Sequence, residues 1–220
     1  MTIAAFATIY SSVRQGEKDR VLQIKLLRQQ QARQQLDDMA ANIMAICRNM
    51  NPFHILEYSS KLVNNNFTEE DRYLLEKLTV DNYYNQTNLT IQTDRLGNYQ
   101  SAKSLLKRLK QIHQDYGLWS STVTTLSKML AELSNPLIEK AIHQMTTEMA
   151  SRCQKIAPHY QQTIATIIGQ KDIAIEKAKK ILNIFQTEMA RHIQQQQMEL
   201  NRELTEFVKY EQGRIDKLTE

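Results

Sequence analysis

The 220-residue sequence predicts an all-α protein, an elongated helical bundle with long N- and C-terminal helices. Only five glycines and three prolines are present, too few for the closely spaced turns of an all-β chain or a disulfide scaffold. Apolar residues recur every three or four positions over long stretches, as on one face of a helix. The hydrophobic fraction of 41% is sufficient for a core and argues against disorder.

Residues 1–50 form the first predicted long helix, since only Gly16 interrupts a helix-favouring composition. An early apolar series includes Ile24 and Leu27, and a later one has a different heptad phase, so we expect the contact face to rotate within residues 28–35. The later series contains Leu36, Met39, Ile43 and Ile46. A stop follows before Pro52, because a residue preceding proline avoids the helical conformation.

Residues 53–157 are predicted to contain shorter helices. Thr68 and the three acidic residues after it are typical of a helix start, with a hydroxyl cap and negative charge in the first turn. The run from Val80 to Thr93 has some strand propensity, but we interpret it as helix.

Two further breaks are predicted in the same region. Gly117 is expected to end a short basic helix that begins at Ser101, before another helix that starts at Ser120 or Ser121. Asn135 and Pro136 together predict a helix start, which leads to a helix that Pro158 interrupts.

Residues 159–218 form the second predicted long helix, with Gly169 and Gly213 as weak interruptions. Its apolar face contains Leu182, Phe185, Met189, Leu200, Leu204 and Phe207. We treat residues 1–220 as a single domain in which these positions and the later series of the first helix form an antiparallel coiled-coil seam.

Glutamine blocks suggest a register for that coiled coil. Of 23 glutamines, five lie at 29–31 and 34–35, and four lie at 194–197. We hypothesise that residue 32 lies opposite residue 195, with a polar layer between the two helices that fixes their register. The alternative is that glutamine, a good helix former, fills a solvent-facing surface.

The sequence contains no motif for catalysis, for a cofactor or for a metal. Phosphate-binding glycine loops and nucleophile elbows are missing, and Cys47 and Cys153 stand alone. Two Glu-to-His pairs at i,i+4, ending at His143 and His192, have the spacing of ordinary surface pairs rather than of bundle metal sites. We therefore predict a protein that is not an enzyme and has no cofactor.

Two basic clusters are candidate contacts for lipid or for an acidic partner. The first includes Lys18, Lys25 and Arg28, behind an apolar N-terminal segment that contains Ile3 and Phe6; the second contains Lys103, Lys107 and Arg108. The alternative is that both clusters are the solvated faces of amphipathic helices. Aromatic residues are not interleaved with either cluster, so the pattern does not favour nucleic acid.

The leading functional interpretation is a helical scaffold or assembly subunit, with other proteins or its own copies as partners. Its layout resembles that of self-assembling secretion-apparatus subunits and tip proteins. The alternative is a membrane-surface module that broadly resembles BAR-type dimers, using the basic faces and the apolar N-terminal segment. The apolar N-terminal segment has no Lys or Arg before it, as a secretory signal would need, so we expect a cytoplasmic location, with leaderless export as the alternative.

Overall fold

The computed structural model describes residues 3–131 and 136–217, and it describes the side chains of these residues except those at 3–13, 85, 86, 131 and 136. Over these ranges the protein is an all-α helical bundle without strands, which confirms the predicted fold class. The helices are α1 (Ile3–Asn49), α2 (Pro52–Val63), α3 (Glu69–Gly97), α4 (Lys103–Ala131), α5 (Pro136–Ile156), α6 (Gln161–Gly169) and α7 (Ala174–Asp216).

The chain divides into two compact units. Residues 1–42 and 203–220 form the terminal unit, and residues 43–202 form the central unit. The assignment of residues 1–220 to a single domain stays a prediction.

Helix α4 supplies much of the core of the central unit, and it packs against α2, α3 and α5. Its buried side chains follow each other at alternating intervals of four and three residues: Leu105, Leu109, Ile112, Tyr116, Trp119, Val123 and Leu126. Each buried side chain of this size contributes roughly 1.5–3 kcal/mol through removal of apolar surface from water.

Helix α3 starts where the sequence predicts. The Thr68 hydroxyl accepts a hydrogen bond from the Asp71 amide, and the Asp71 carboxylate accepts one from the Thr68 amide in return. A hydrogen bond from Lys61 is the main reason that the pKa of Asp71 is lowered, so the carboxylate stays charged at this helix start. The helix continues through residues 80–93, as interpreted from the sequence.

The predicted break at Gly117 is wrong, because α4 runs through it without interruption. Gly117 faces α3, and a Cβ atom at this position would lie 3.1 Å from the Asn82 side-chain nitrogen. The glycine therefore allows α3 and α4 to approach closely and does not end a helix.

The second long helix is also interrupted, contrary to the prediction. Helix α6 ends at Gly169, Gln170 is extended with ψ of 152°, and α7 begins only at Ala174. The Lys180 ammonium holds the connecting turn, since it donates to Gln170 Oε1 at 3.0 Å and to Asp172 Oδ2 at 2.5 Å. The chain therefore forms a turn held by polar contacts here, although the apolar residues keep their helical spacing across the break.

In the terminal unit, α1 and α7 run antiparallel. Asp216 accepts hydrogen bonds from Gln29, at 3.2 Å, and from Arg33, and Gln212 donates to Asp37 at 3.5 Å. Residues around 33 therefore lie opposite residues around 216, and the predicted pairing of residue 32 with residue 195 is wrong.

The second glutamine block has separate roles in the central unit. Gln197 donates to the carbonyl oxygens of Cys47 and Met50, at 3.1 and 2.9 Å, and so satisfies acceptors at the end of α1. Gln196 accepts from Arg108 at 2.8 Å, and Gln195 donates to Glu199 at 3.1 Å. These contacts replace the expected polar layer between the two glutamine blocks.

Candidate interaction surfaces

The positions predicted for a coiled-coil seam are all buried. Exposure does not exceed 5% at Leu36, Met39, Ile43, Ile46, Leu182, Phe185, Met189, Leu200, Leu204 and Phe207. These positions belong to the hydrophobic core, and their joint assignment to one coiled-coil seam stays a prediction.

A heptad track in the phase of the later apolar series runs along α1 from residue 18 to residue 50, and its positions are partly or fully buried from Gln29 onward. Its positions are Lys18, Leu22, Lys25, Gln29, Ala32, Leu36, Met39, Ile43, Ile46 and Met50. Ile24 and Leu27 of the early series lie off this track and are 43% and 58% exposed. The other members, Ile3, Phe6, Tyr10 and Val13, have side chains outside the described residues, so the change of phase stays a prediction.

We call residues 14–28 of α1 the arm. Every side chain of the arm is exposed, although α7 bonds to α1 immediately after it, at Gln29 and Arg33. Val21 and Leu22 are 55% and 51% exposed, and Lys18 and Lys25 lie on the same face of the helix. The arm thus continues the heptad track of α1 as an unpaired, largely basic surface.

Apolar side chains on the arm do not form one face. At about 100° per residue, Val21, Ile24 and Leu27 lie on one face of the helix, and Leu22 and Leu26 lie on the opposite face. A helix that is apolar in several directions is typical of a segment surrounded by partners, whereas a helix lying in a membrane surface needs a single apolar face.

The predicted basic contacts have different environments. Lys18, Lys25 and Arg28 are exposed on the arm, and Lys103 and Lys107 are exposed on α4. Arg108 is not available, because its guanidinium binds Gln196 and forms an ion pair with the partly buried Glu199. Ile3 and Phe6 have side chains outside the described residues.

Helix α3 has a second, solvent-exposed face that the sequence interpretation did not identify, which we call the α3 stripe: Tyr73, Val80, Tyr84, Thr87 and Ile91. The exposed Lys77 lies on the same face, between Tyr73 and Val80. Tyr73 and Tyr84 are 69% and 66% exposed, and Val80 and Ile91 are about half exposed. The buried residues Leu75, Asn82 and Leu89 each follow a stripe residue by two positions, which is about 200° around the helix. The stripe therefore lies opposite the face that packs on α4.

The heptad spacing of residues from Tyr73 to Ile91 is the sequence pattern from which the stripe could have been predicted. Asparagine and threonine separate its members in the sequence, and they draw attention to turn or strand propensity instead.

A polar cleft of about 570 Å³ lies between α4, α5 and α7 in the central unit. Its walls include Asp115, Ser151, Arg152 and His192, and the His192 imidazole lies 3.3 Å from the Asp115 carboxylate. The expected pair between Glu188 and His192 is absent, since the buried Glu188 pairs with Arg191 instead.

The cleft does not assemble a nucleophile with a base. Among the contacts of the described residues, Ser151 has no hydrogen bond to the imidazole, and both partners of the His–Asp pair are accessible to water. The same residues contain no group of three histidines, cysteines or carboxylates able to hold a metal ion.

The two cysteines are buried and free. Burial raises the pKa of Cys47 to about 12 and that of Cys153 to about 11, so both thiols stay protonated and unreactive at neutral pH. They therefore act as small apolar residues of the core.

Comparison of the chain with protein-family models, with curated proteins and with solved structures gives no match. Across the residues that the structure describes, no helix combines the length and the apolar character needed to traverse a bilayer.

Proposed function

We propose that this chain is a non-enzymatic interaction protein, a helical scaffold or assembly subunit that binds its partners through helix faces. The α1 arm is the observation that carries this proposal. It places Val21, Leu22 and Leu27 in solvent on a helix whose heptad track buries Leu36 and Met39 farther along. Large apolar side chains grouped on an exposed surface mark interaction sites.

The pattern on the arm favours a helical protein partner. Positions 18, 22 and 25 keep the spacing that is buried at 39, 43 and 46, so a second helix can pack there in the same heptad phase. The lysines at 18 and 25 have long apolar stems that cover such a helix, while their ammonium groups reach outward to acidic side chains.

A membrane-surface module is the second candidate, and the basic face of the arm is the observation in its favour. It predicts that the protein sediments with vesicles rich in phosphatidylserine at low salt and is released by salt. Sedimentation unaffected by salt and by removal of residues 2–13 would exclude it. The cytoplasmic location is likewise a prediction.

The interaction proposal is tested by mass measurement and affinity capture with the full chain and a Val21→Gln, Leu22→Gln variant. We expect the wild type to self-associate or to retain one identifiable partner, and the variant to lose that association. The control carries Met198→Gln and Tyr210→Gln, which replace two exposed apolar side chains on α7. A chain that stays monomeric and retains nothing in an arm-dependent way would refute the proposal.

A further inference from the structure

We propose that the arm of one copy binds the α3 stripe of a second copy. This inference rests on the proposed function and specifies its partner as another molecule of the same chain. Both surfaces are exposed in this chain, so each is available to another molecule.

The two surfaces match in spacing and in length. Arm residues 18, 22 and 25 follow each other by four and three positions, as do stripe residues 80, 84 and 87. The arm is about 21 Å long, and the stripe from Tyr73 to Ile91 is about 27 Å long. Two helices with such stripes pack side by side along this length.

Charge distinguishes this pairing from others that the chain allows. The arm contains five basic and two acidic residues, whereas α3 contains six acidic and three basic residues. Asp81 and Asp94 are exposed on opposite sides of the stripe. Lysine side chains from the arm of a second copy that is bound along the stripe can reach them. Glu76 adds a third acid beside the stripe, although Lys128 already pairs with it at 2.9 Å.

Two other occupants of the arm fit less well. An arm-to-arm contact through the same face would bring Lys18 and Lys25 of one copy against the same cations of the other, which is unfavourable. An anionic lipid surface would meet an arm without a single apolar face, and it would leave the α3 stripe without a partner. The α3 stripe supplies both the apolar surface and the opposite charge.

The contact is heterologous, because it joins two different surfaces. A copy that has bound one neighbour through its arm still exposes its own stripe, so association continues into open chains or closes into a ring. A helix pair of this length is smaller than the standard interface of about 1,600 Å², so we expect association in the micromolar range. Salt weakens it by screening the charges.

The test uses sedimentation equilibrium on the full-length chain and two variants. The arm variant carries Lys18→Glu and Lys25→Glu, and the stripe variant carries Val80→Gln and Tyr84→Gln. We expect wild-type mass to rise with concentration, and each variant alone to associate at least about tenfold more weakly. An equimolar mixture should form a dimer and nothing larger, since it contains one intact arm and one intact stripe per pair.

Matched controls separate these effects from general changes of charge or polarity. Lys103→Glu with Lys107→Glu reverses two exposed lysines on α4, and Met198→Gln with Tyr210→Gln replaces two exposed apolar side chains on α7. Both controls should associate like the wild type. Far-ultraviolet circular dichroism and thermal melting establish that each variant is folded.

A wild-type chain that is monomeric at every accessible concentration overturns the inference. So does a self-associating wild type whose association neither variant weakens, or a variant mixture that stays monomeric. The proposed function survives these results if an identified partner still binds the arm, and fails with the inference if no partner does. An identified foreign helix on a monomeric chain therefore rejects the second copy as the occupant.

Discussion

Polar side chains are buried or half-buried at the interface between α3 and α4. Thr79 and Thr124 share a hydrogen bond of 3.1 Å, and His113 bonds to the backbone of Asn82. The Oδ1 atom of Asn82 and the Nε2 atom of His113 are buried without a partner among the described residues. Burial lowers the pKa of His113, and its bond to the Asn82 backbone opposes this effect only in part.

His113 makes stability depend on pH in one direction. The unfolded chain binds the proton near pH 6.5, whereas the folded chain binds it only at a lower pH. The contribution of His113 is therefore complete above the unfolded pKa and is lost as pH falls through the folded pKa. Denaturant unfolding between about pH 5 and 8 should show a smaller loss of stability on acidification for His113→Gln than for the wild type.

The remaining histidines, including His192 beside Asp115, are present in both proteins, so their contributions cancel in this comparison. Parallel pH profiles for the wild type and His113→Gln would contradict the assignment.

At the scale of elements, the approach of α4 to α3 depends on Gly117. A Cβ here would already lie 3.1 Å from the Asn82 side chain, so a larger residue must displace it. We expect Gly117→Leu to destabilise the protein by roughly 1–3 kcal/mol, despite the higher helix propensity of leucine. Urea unfolding measures the change.

The same prediction has an internal control. In an Asn82→Ala background, the space released should reduce the cost of Gly117→Leu, and a double-mutant cycle measures that coupling. If the two substitutions are additive, Gly117 does not act through Asn82.

Helix content and core positions were predictable from the sequence for a definite physical reason. Burial of apolar residues every three or four positions leaves a direct pattern, and Leu36 to Ile46 and Leu182 to Met189 followed it. The α3 stripe left the same pattern, but its polar neighbours concealed it.

Register was not predictable, because glutamine is compatible with several environments. Gln197 binds the last carbonyls of α1, and Gln196 binds Arg108 of α4. Neither role can be distinguished in sequence from a solvated helix face. The two glycines were equally ambiguous in the sequence. Gly117 lies within α4, where it contacts α3, whereas Gly169 ends α6.

At the scale of the whole molecule, the terminal unit contains segments of unequal stability. Residues 36 and 39 of α1 are buried, whereas no side chain of the arm is. An unpacked helix of about 15 residues is only marginally stable in water. We therefore expect arm amides to exchange hydrogen at least about a hundredfold faster than amides of residues 36–42 in dilute solution.

Hydrogen exchange with mass spectrometry measures this difference, and residues 204–207 of α7 serve as a protected reference within the same unit. At concentrations at which copies associate, the arm should become protected in the wild type and not in the Lys18→Glu, Lys25→Glu variant. Equal protection along α1 in dilute solution would contradict the view of the arm as unpacked.

The heptad track on α1 extends about three turns past the last residues that α7 binds. Because α1 is one continuous helix, its buried part fixes which side chains of the arm lie on the binding face before any partner binds. Recognition there selects a helix by the order and phase of its side chains, without a pocket. One residue inserted between the arm and Gln29 would rotate the arm by about 100° relative to the rest of α1. We expect this insertion to abolish binding through the arm, although the composition and charge of the arm would be unchanged.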